Sequence, residues 1–302
     1  MSATTPFPFG NHVARLPVLH VYGCGRAARV IARWLLDAGQ VDIGQVCNRT
    51  LASSSAAVEF IGAGQAVEQM DHSVTGGWLL LGLPDSEIAA GALGLSCRMP
   101  GQPDLVFHLS GSMRADVLEP LGCPAASVHP ARAFADPDRA LEAMAGTWCV
   151  GEGAAYVLEI LKPVLVAAGA RWLTLAGAGK PAYHAATVVA SNYLVTMTDL
   201  ARRLTDSAGM DSEAAAGLLS SLQAGALDNL RGRAAASVLT GPIERSDEAA
   251  MVRLLEGVDQ VGPVAGNLFR ALGLATLELA EQKRGRGPAD PALRRLFTSR
   301  SD

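Results

Sequence analysis

The sequence has little aromatic surface and little charge. Phe, Trp and Tyr make up 5% of its 302 residues, and Asp, Glu, Lys and Arg 18%. With 49% hydrophobic residues, so low a charge excludes disorder for most of the chain. Lysine occurs only at Lys162, Lys180 and Lys283, and 25 basic against 29 acidic residues leave a formal charge of −4. Up to residue 176 there are 11 basic and 15 acidic residues, and beyond it 14 of each, so no nucleic-acid surface is expected. The five cysteines (Cys24, Cys47, Cys97, Cys123 and Cys149) are odd in number and contain no C-x-x-C pair. That argues against a disulfide framework and a zinc site, and for a reducing, cytoplasmic compartment. Met1 to Arg15 lacks the basic start and apolar stretch of a signal peptide. The most apolar long segment, 182–200, carries His184, Ser191, Asn192 and Asp199, too many polar groups for a bilayer span.

At roughly 150 residues per domain, the length suggests two domains. After a loose tail with Pro6, Pro8, Gly10 and His12, short apolar runs alternate with helical stretches. Strands are expected at 17–22, 42–47, 65–67, 78–83, 105–109, 125–128, 148–150 and 171–176. Such alternation predicts an α/β, Rossmann-like, mostly parallel sheet over residues 15–176. The strand signal then stops. Helical spacing runs unbroken over 181–206 and returns at 212–230, 246–261 and 264–282, so residues 177–302 read as an all-α domain. Residues 283–302 read as a basic tail broken by glycine and proline.

Gly23-Cys24-Gly25-Arg26-Ala27-Ala28 stands between the first strand and a helix, the setting a dinucleotide fingerprint requires. Two glycines permit the turn and the approach of a pyrophosphate, which the free N–H groups at the helix start attract. A site for NAD places an acid about 20 residues on, at the end of the second strand. Here that strand ends in Asn48-Arg49-Thr50, with no acid. Arg49 suits a 2′-phosphate, Thr50 adds a hydroxyl, and Arg26 is placed to approach the same group, so the expected cofactor is NADP. Leu83-Pro84-Asp85 ends the fourth strand, where the nicotinamide ribose is expected.

Ligands bind beyond the carboxyl ends of parallel strands. Ser110 follows the fifth strand and His129 the sixth, while His20, inside the first strand, is expected to be packed. On the expected 181–206 helix, His184 and Asn192 are eight apart and share a face, with Lys180 four residues before. Histidine needs less tuning than lysine to exchange protons near neutral pH, so His184 is preferred to Lys180 as the acid, with Asn192 orienting the substrate. In Thr240-Gly241-Pro242-Ile243-Glu244-Arg245-Ser246-Asp247, Ser246 or Asp247 suits a helix cap, and Arg245 or Arg132 a substrate carboxylate.

The glycine turn, Asn48-Arg49-Thr50 and the switch to helices resemble the 6-phosphogluconate dehydrogenase-like superfamily. That group includes pyrroline-5-carboxylate reductase, ketopantoate reductase, hydroxyisobutyrate dehydrogenase and prephenate dehydrogenase. His108-Leu109-Ser110-Gly111-Ser112, His129-Pro130, Tyr183-His184-Ala185-Ala186, Ser191-Asn192 and 240–247 are similar to one bacterial subfamily with a helical second domain of unknown function. Over residues 16–282 the resemblance implies an NADP-dependent reductase, like the alternative ketopantoate reductases. The superfamily carries Lys-x-x-x-Asn after a G-x-G turn. Here Gly177-Ala178-Gly179 is present, His184 stands about where the lysine belongs, and Asn192 comes a turn later.

The expectation is therefore reduction of a small, carboxylate-bearing 2-oxo acid or imine in a cleft between the domains. His184 donates the proton, Asn192, Ser110 and His129 position the substrate, and Arg245 or Arg132 holds its carboxylate. A homodimer is the expected assembly. The alternatives are an NADP-binding sensor or scaffold without chemistry and a prephenate-dehydrogenase-like enzyme.

Overall fold

The computed structural model describes residues 16–99 and 101–299, so the expected N-terminal tail and His12 lie outside the described residues. Eight strands form where the short apolar runs place them. They are β1 (Val18–Tyr22), β2 (Asp42–Cys47), β3 (Gln65–Val67), β4 (Trp78–Leu81), β5 (Leu105–His108), β6 (Ala125–Pro130), β7 (Trp148–Gly153) and β8 (Arg171–Thr174). One sheet joins them in the order β3-β2-β1-β4-β5-β6-β7-β8. All neighbours are parallel except β6 and β7, so the last two strands run against the other six. The sheet is Rossmann-like and mostly parallel, as the sequence predicts.

The central strands β4 and β5 are buried throughout, which is why they read as continuous apolar runs. Alternate side chains go to opposite faces. Leu80 packs in the cluster that holds Ile31, Trp34 and Leu35 of α1 (Arg26–Asp37). Leu79 and Leu81 pack with Ile88 and Leu95 of α3 (Asp85–Ser96). Between them in sequence, α2 (Leu51–Ile61) starts at a capping box of Thr50 and Ser53 and ends at Gly62, φ +84°. His20 is 2% exposed and accepts the Gln45 N–H on Nδ1 at 3.0 Å, a packed histidine as expected. Helices α4 (Pro137–Glu142) and α5 (Ala155–Ala167) follow β6 and β7.

The chain divides into two compact units, residues 1–189 and 190–302. Helix α6 (Lys180–Ala190) groups with the first except for its last residue. The second holds α7 (Asn192–Ser207), α8 (Ser212–Leu230), α9 (Ala235–Val238), α10 (Glu248–Asp259), α11 (Pro263–Arg284) and α12 (Asp290–Thr298). Two expectations need correction. The single helix over 181–206 is two helices, because Ser191 leaves the helical region at φ −122° and ψ −65°. Asn192 is therefore the first residue of α7 and does not share a helix face with His184. Residues 283–299 are not only a tail: Asp290 and Pro291 start α12, which buries Leu293 and Phe297 against Met251, Leu255 and Leu277.

Candidate active site

The turn after β1 is closed by its own polar atoms. Gly23, at φ +78°, donates its N–H to the Cys47 carbonyl at 2.8 Å. Cys24 donates its N–H to Asn48 Oδ1 at 2.6 Å, and Asn48 Nδ2 donates in turn to the Ser53 carbonyl at 2.9 Å. Gly25 caps α1, whose first N–H groups, on Arg26, Ala27 and Ala28, have no acceptor within the helix. At Gly82 a Cβ would run into Ala28 Cβ and the Gly23 carbonyl, so the end of β4 lies hard against the turn. A cavity of about 730 Å³ opens beside this cradle. It is lined by Gly23, Cys24 and Gly25 from the turn, Asn48 and Arg49 after β2, and Leu83 and Pro84 after β4. Glu68 and Arg98 also line it. Its volume, its glycine wall and Arg49 in place of an acid fit a phosphorylated dinucleotide. Burial in the core with Ala28 and Ile31 pushes the Cys24 thiol up to about 12, so it is neutral.

A second cavity, of about 370 Å³, lies beyond the carboxyl ends of β4, β5 and β6. Asp85, Ser110, Gly111, His129, Arg132 and His184 line it. Asp85 Oδ2 accepts the hydroxyls of Ser110 and Ser112, both at 2.7 Å. Burial raises the Asp85 carboxyl, but those two bonds and the nearby charges of His184 and His108 bring it below its ordinary value. Ser110 Oγ also accepts the Met113 N–H at 2.9 Å, and the Ser110 N–H goes to His108 Nδ1 at 3.1 Å. His108 Nε2 lies 3.1 Å from the Arg114 carbonyl, which fixes the proton on Nε2, and burial lowers this imidazole to about 4.

Lys180 is 1% exposed. Its ammonium donates to the Ser110 carbonyl at 3.1 Å and to Ser127 Oγ at 2.5 Å, while Ser127 donates on to the Ser110 carbonyl at 3.0 Å. Burial lowers the lysine to about 8, opposed by the charges of Glu152 and Asp85. The buried ammonium ties α6 to β5 and β6, and so sets the next turn of that helix beside His129. There Tyr183 Oη is 2.7 Å from His129 Nδ1, and the His184 ring stands edge-on to the His129 ring with centroids 5.6 Å apart. Burial, then the charges of His184 and Lys180, lower His129 to about 4. At Gly111 a Cβ would press on His184 Nδ1 and stand 3.0 Å from His129 Nε2. Both imidazoles thus crowd the bare Cα of Gly111, His184 taking the place a Cβ would need and His129 Nε2 standing beside it.

A family model described as a domain of unknown function, DUF2520, matches residues 147–284. No match was found among curated proteins. Several solved structures share the fold. A Bacteroides fragilis protein assigned as an NADP oxidoreductase aligns at TM-score 0.69 and 19% identity, over 87% of this chain and 98% of that one. Protein TM1727 of Thermotoga maritima aligns at TM-score 0.65 and 24% identity, over 88% and 99%. An imine reductase from Aspergillus terreus, solved with NADPH4 and dibenz[c,e]azepine, aligns at TM-score 0.57 and 19% identity, over 94% and 100%. At these identities the likeness is one of fold.

Of the residues singled out in the sequence, Ser110, His129 and His184 line the smaller cavity, as does Ala27. Arg26 points its guanidinium to the Ala135 carbonyl, 3.3 Å away, and the Thr50 hydroxyl caps α2. Asn192 and Arg245 belong to the second unit. Asp247 caps α10 by accepting the Ala250 N–H at 2.9 Å. Sequence reasoning gave no role to Asp85, Gly111 or Tyr183. Asp85 carried a signal as the acid directly after Pro84, at the start of α3, and Tyr183 as the neighbour of His184.

Proposed function

We propose that the protein is an NADPH-dependent reductase of a small, carboxylate-bearing 2-oxo acid or imine, similar in reaction to ketopantoate reductases. The turn between β4 and α3 supports this reading most directly: Pro84 lines the dinucleotide-sized cavity and Asp85 the histidine cavity. Bound along the larger cavity, the dinucleotide would supply a hydride. Gly23, Gly25 and the first N–H groups of α1 hold its pyrophosphate, and Arg49 its 2′-phosphate. In the smaller cavity Arg132 holds a carboxylate, its Nε kept in place by Thr147 Oγ1 at 2.9 Å. His129 and His184 meet the oxygen or nitrogen of the double bond being reduced. The reading rests on the first unit alone. Its test is a titration with NADPH and NADH by nicotinamide fluorescence, beside Arg49→Ala. We expect a preference for NADPH of at least ~10-fold that the variant loses, and NADPH oxidation with members of a panel of 2-oxo acids and cyclic imines. Binding of neither nucleotide overturns the reading, and binding without oxidation across the panel leaves a nucleotide-binding protein without this chemistry.

A further inference from the structure

Tyr183 lies behind His129 as seen from the cavity: it is half-buried on α6, does not line the cavity, and meets the imidazole at Nδ1, 2.7 Å away. Of the two groups the phenol is the better donor and imidazole nitrogen the better acceptor, so the shared proton belongs to the tyrosine. The ring proton of His129 then sits on Nε2, the nitrogen that comes within 3.0 Å of the Cβ position above Gly111. We propose that Tyr183 and His129 form a proton relay to the substrate, resting on the reductase reading above. Tyr183 is its positioning residue and His129 the group that touches the substrate. As the carbonyl carbon takes the hydride of the reduced nicotinamide, the π-electron pair of the C=O bond moves to oxygen. That oxygen takes the proton from His129 Nε2, while Nδ1 takes the phenol proton. After the alcohol leaves, Nε2 takes a proton from water and Nδ1 returns its proton to the phenolate, so one carbonyl, one NADPH and one solvent proton give one alcohol and NADP⁺ with His129 and Tyr183 restored. An imine nitrogen takes the place of the oxygen in the same scheme.

The surroundings favour a relay in which His129 is neutral at every stage. Burial and the charges of His184 and the buried Lys180 all disfavour imidazolium at this position, with Asp85 opposing. A lone acid at His129 would have to be imidazolium before it donates. A relay exchanges one ring proton for another and never forms that cation. Tyr183, which burial and the Cys149 thiol push up to about 12, is protonated at neutral pH and still more acidic than the alcohol being formed. His184 then stands as the second hydrogen-bonding group on the same oxygen.

Two measurements test the relay, and the first does not require turnover. Long-range ¹H–¹⁵N spectra of histidine-labelled protein at pH 7 should show His129 neutral with its proton on Nε2. They should also show the Nδ1 resonance moving in Tyr183→Phe. A neutral His129 with its proton on Nδ1, or an imidazolium, overturns the relay whatever the catalytic outcome. With any substrate that oxidises NADPH, the rate against the deuterium fraction of the solvent should curve as for two protons in flight. In Tyr183→Phe it should become linear, with kcat lower by about 100-fold. His184→Ala should lower kcat and keep the curvature. A linear wild-type plot, an unchanged Tyr183→Phe, or curvature lost only in His184→Ala overturns the proposal. If NADPH binds nowhere, the reductase reading fails by its own test, while the His129 tautomer is still read from the spectra.

Discussion

Glycine at 111 is required by space and not by backbone angle, since its φ lies outside the left-handed region that favours glycine. The missing side chain is the volume in which His184 Nδ1 and His129 Nε2 meet. In Gly111→Ala the methyl group would occupy that point and push the His184 ring aside. We expect turnover to fall by at least ~10-fold with NADPH affinity unchanged, because the cradle at Gly23 and Gly82 is untouched. A variant with wild-type kcat would show that no reacting atom uses the space. The histidines at strand ends were legible in the sequence, since ligands collect beyond the carboxyl ends of parallel strands. Their partners were not: Asp85 meets Ser110 across 25 positions of sequence, Tyr183 meets His129 across 54, and neither spacing has a local signature. Ser110 illustrates the difference. Its place beside the cavity could be read, yet its hydroxyl is already shared among Asp85, Ser112 and Met113.

Among the elements, all eight strands could be read, with starts within one residue and ends within three, because each holds a short apolar run bounded by polar, glycine or proline residues. Helix α8 could be read at both ends, and its start is fixed by Asp211, which accepts the N–H groups of Glu213 and Ala214. The break between α6 and α7 left no trace in the periodicity, because apolar residues at helical spacing continue on both sides of Ser191. Helix α12 was hidden by the glycines and prolines before it, though Leu293 and Phe297 stand four apart as on one helix face. That helix also locks the 240–247 segment. Asp290, with its side chain 2% exposed, accepts Arg284 Nη1 and Nη2 at 2.9 and 2.8 Å and the Ser246 hydroxyl at 2.9 Å. Arg284 donates onward to the carbonyls of Glu244 and Ile243, and Ser246 is held at φ +58°. The segment between α9 and α10 is therefore fixed by an ion pair whose carboxylate is buried and whose guanidinium is partly exposed. Asp290→Ala leaves Arg284 without its carboxylate and should cost about 3 kcal/mol of stability in urea unfolding. A loss below ~1 kcal/mol would mean that the carbonyls and water satisfy Arg284 unaided.

At the scale of the whole molecule, the same burial that shapes the candidate site sets a pH limit on stability. His20 lies inside β1, His108 at the end of β5 and His129 in β6, and burial lowers the pKa of all three. His108 and His129 fall to about 4. For a depressed histidine the unfolded chain binds the proton more readily than the folded one, so stability falls wherever the unfolded form titrates first. The folded state should thus be unaffected by these groups above the ordinary value of 6.5 and lose stability as the pH falls from there towards about 4. Below that the folded histidines take up protons too and their contribution levels off. For His108 alone the lowering corresponds to a loss on the order of 3 kcal/mol across the window. A urea midpoint that falls only slightly from pH 8 to pH 7, where Lys180 completes its titration, and declines steadily below ~6.5 is the expected record. His20 is the most informative of the three because its Nε2 is buried without a hydrogen-bond partner and it lines neither cavity. In His20→Phe the decline should become shallower, with the NADPH titration unchanged. An undiminished slope would mean that water or a local opening reaches the middle of the sheet and that His20 is protonated without unfolding.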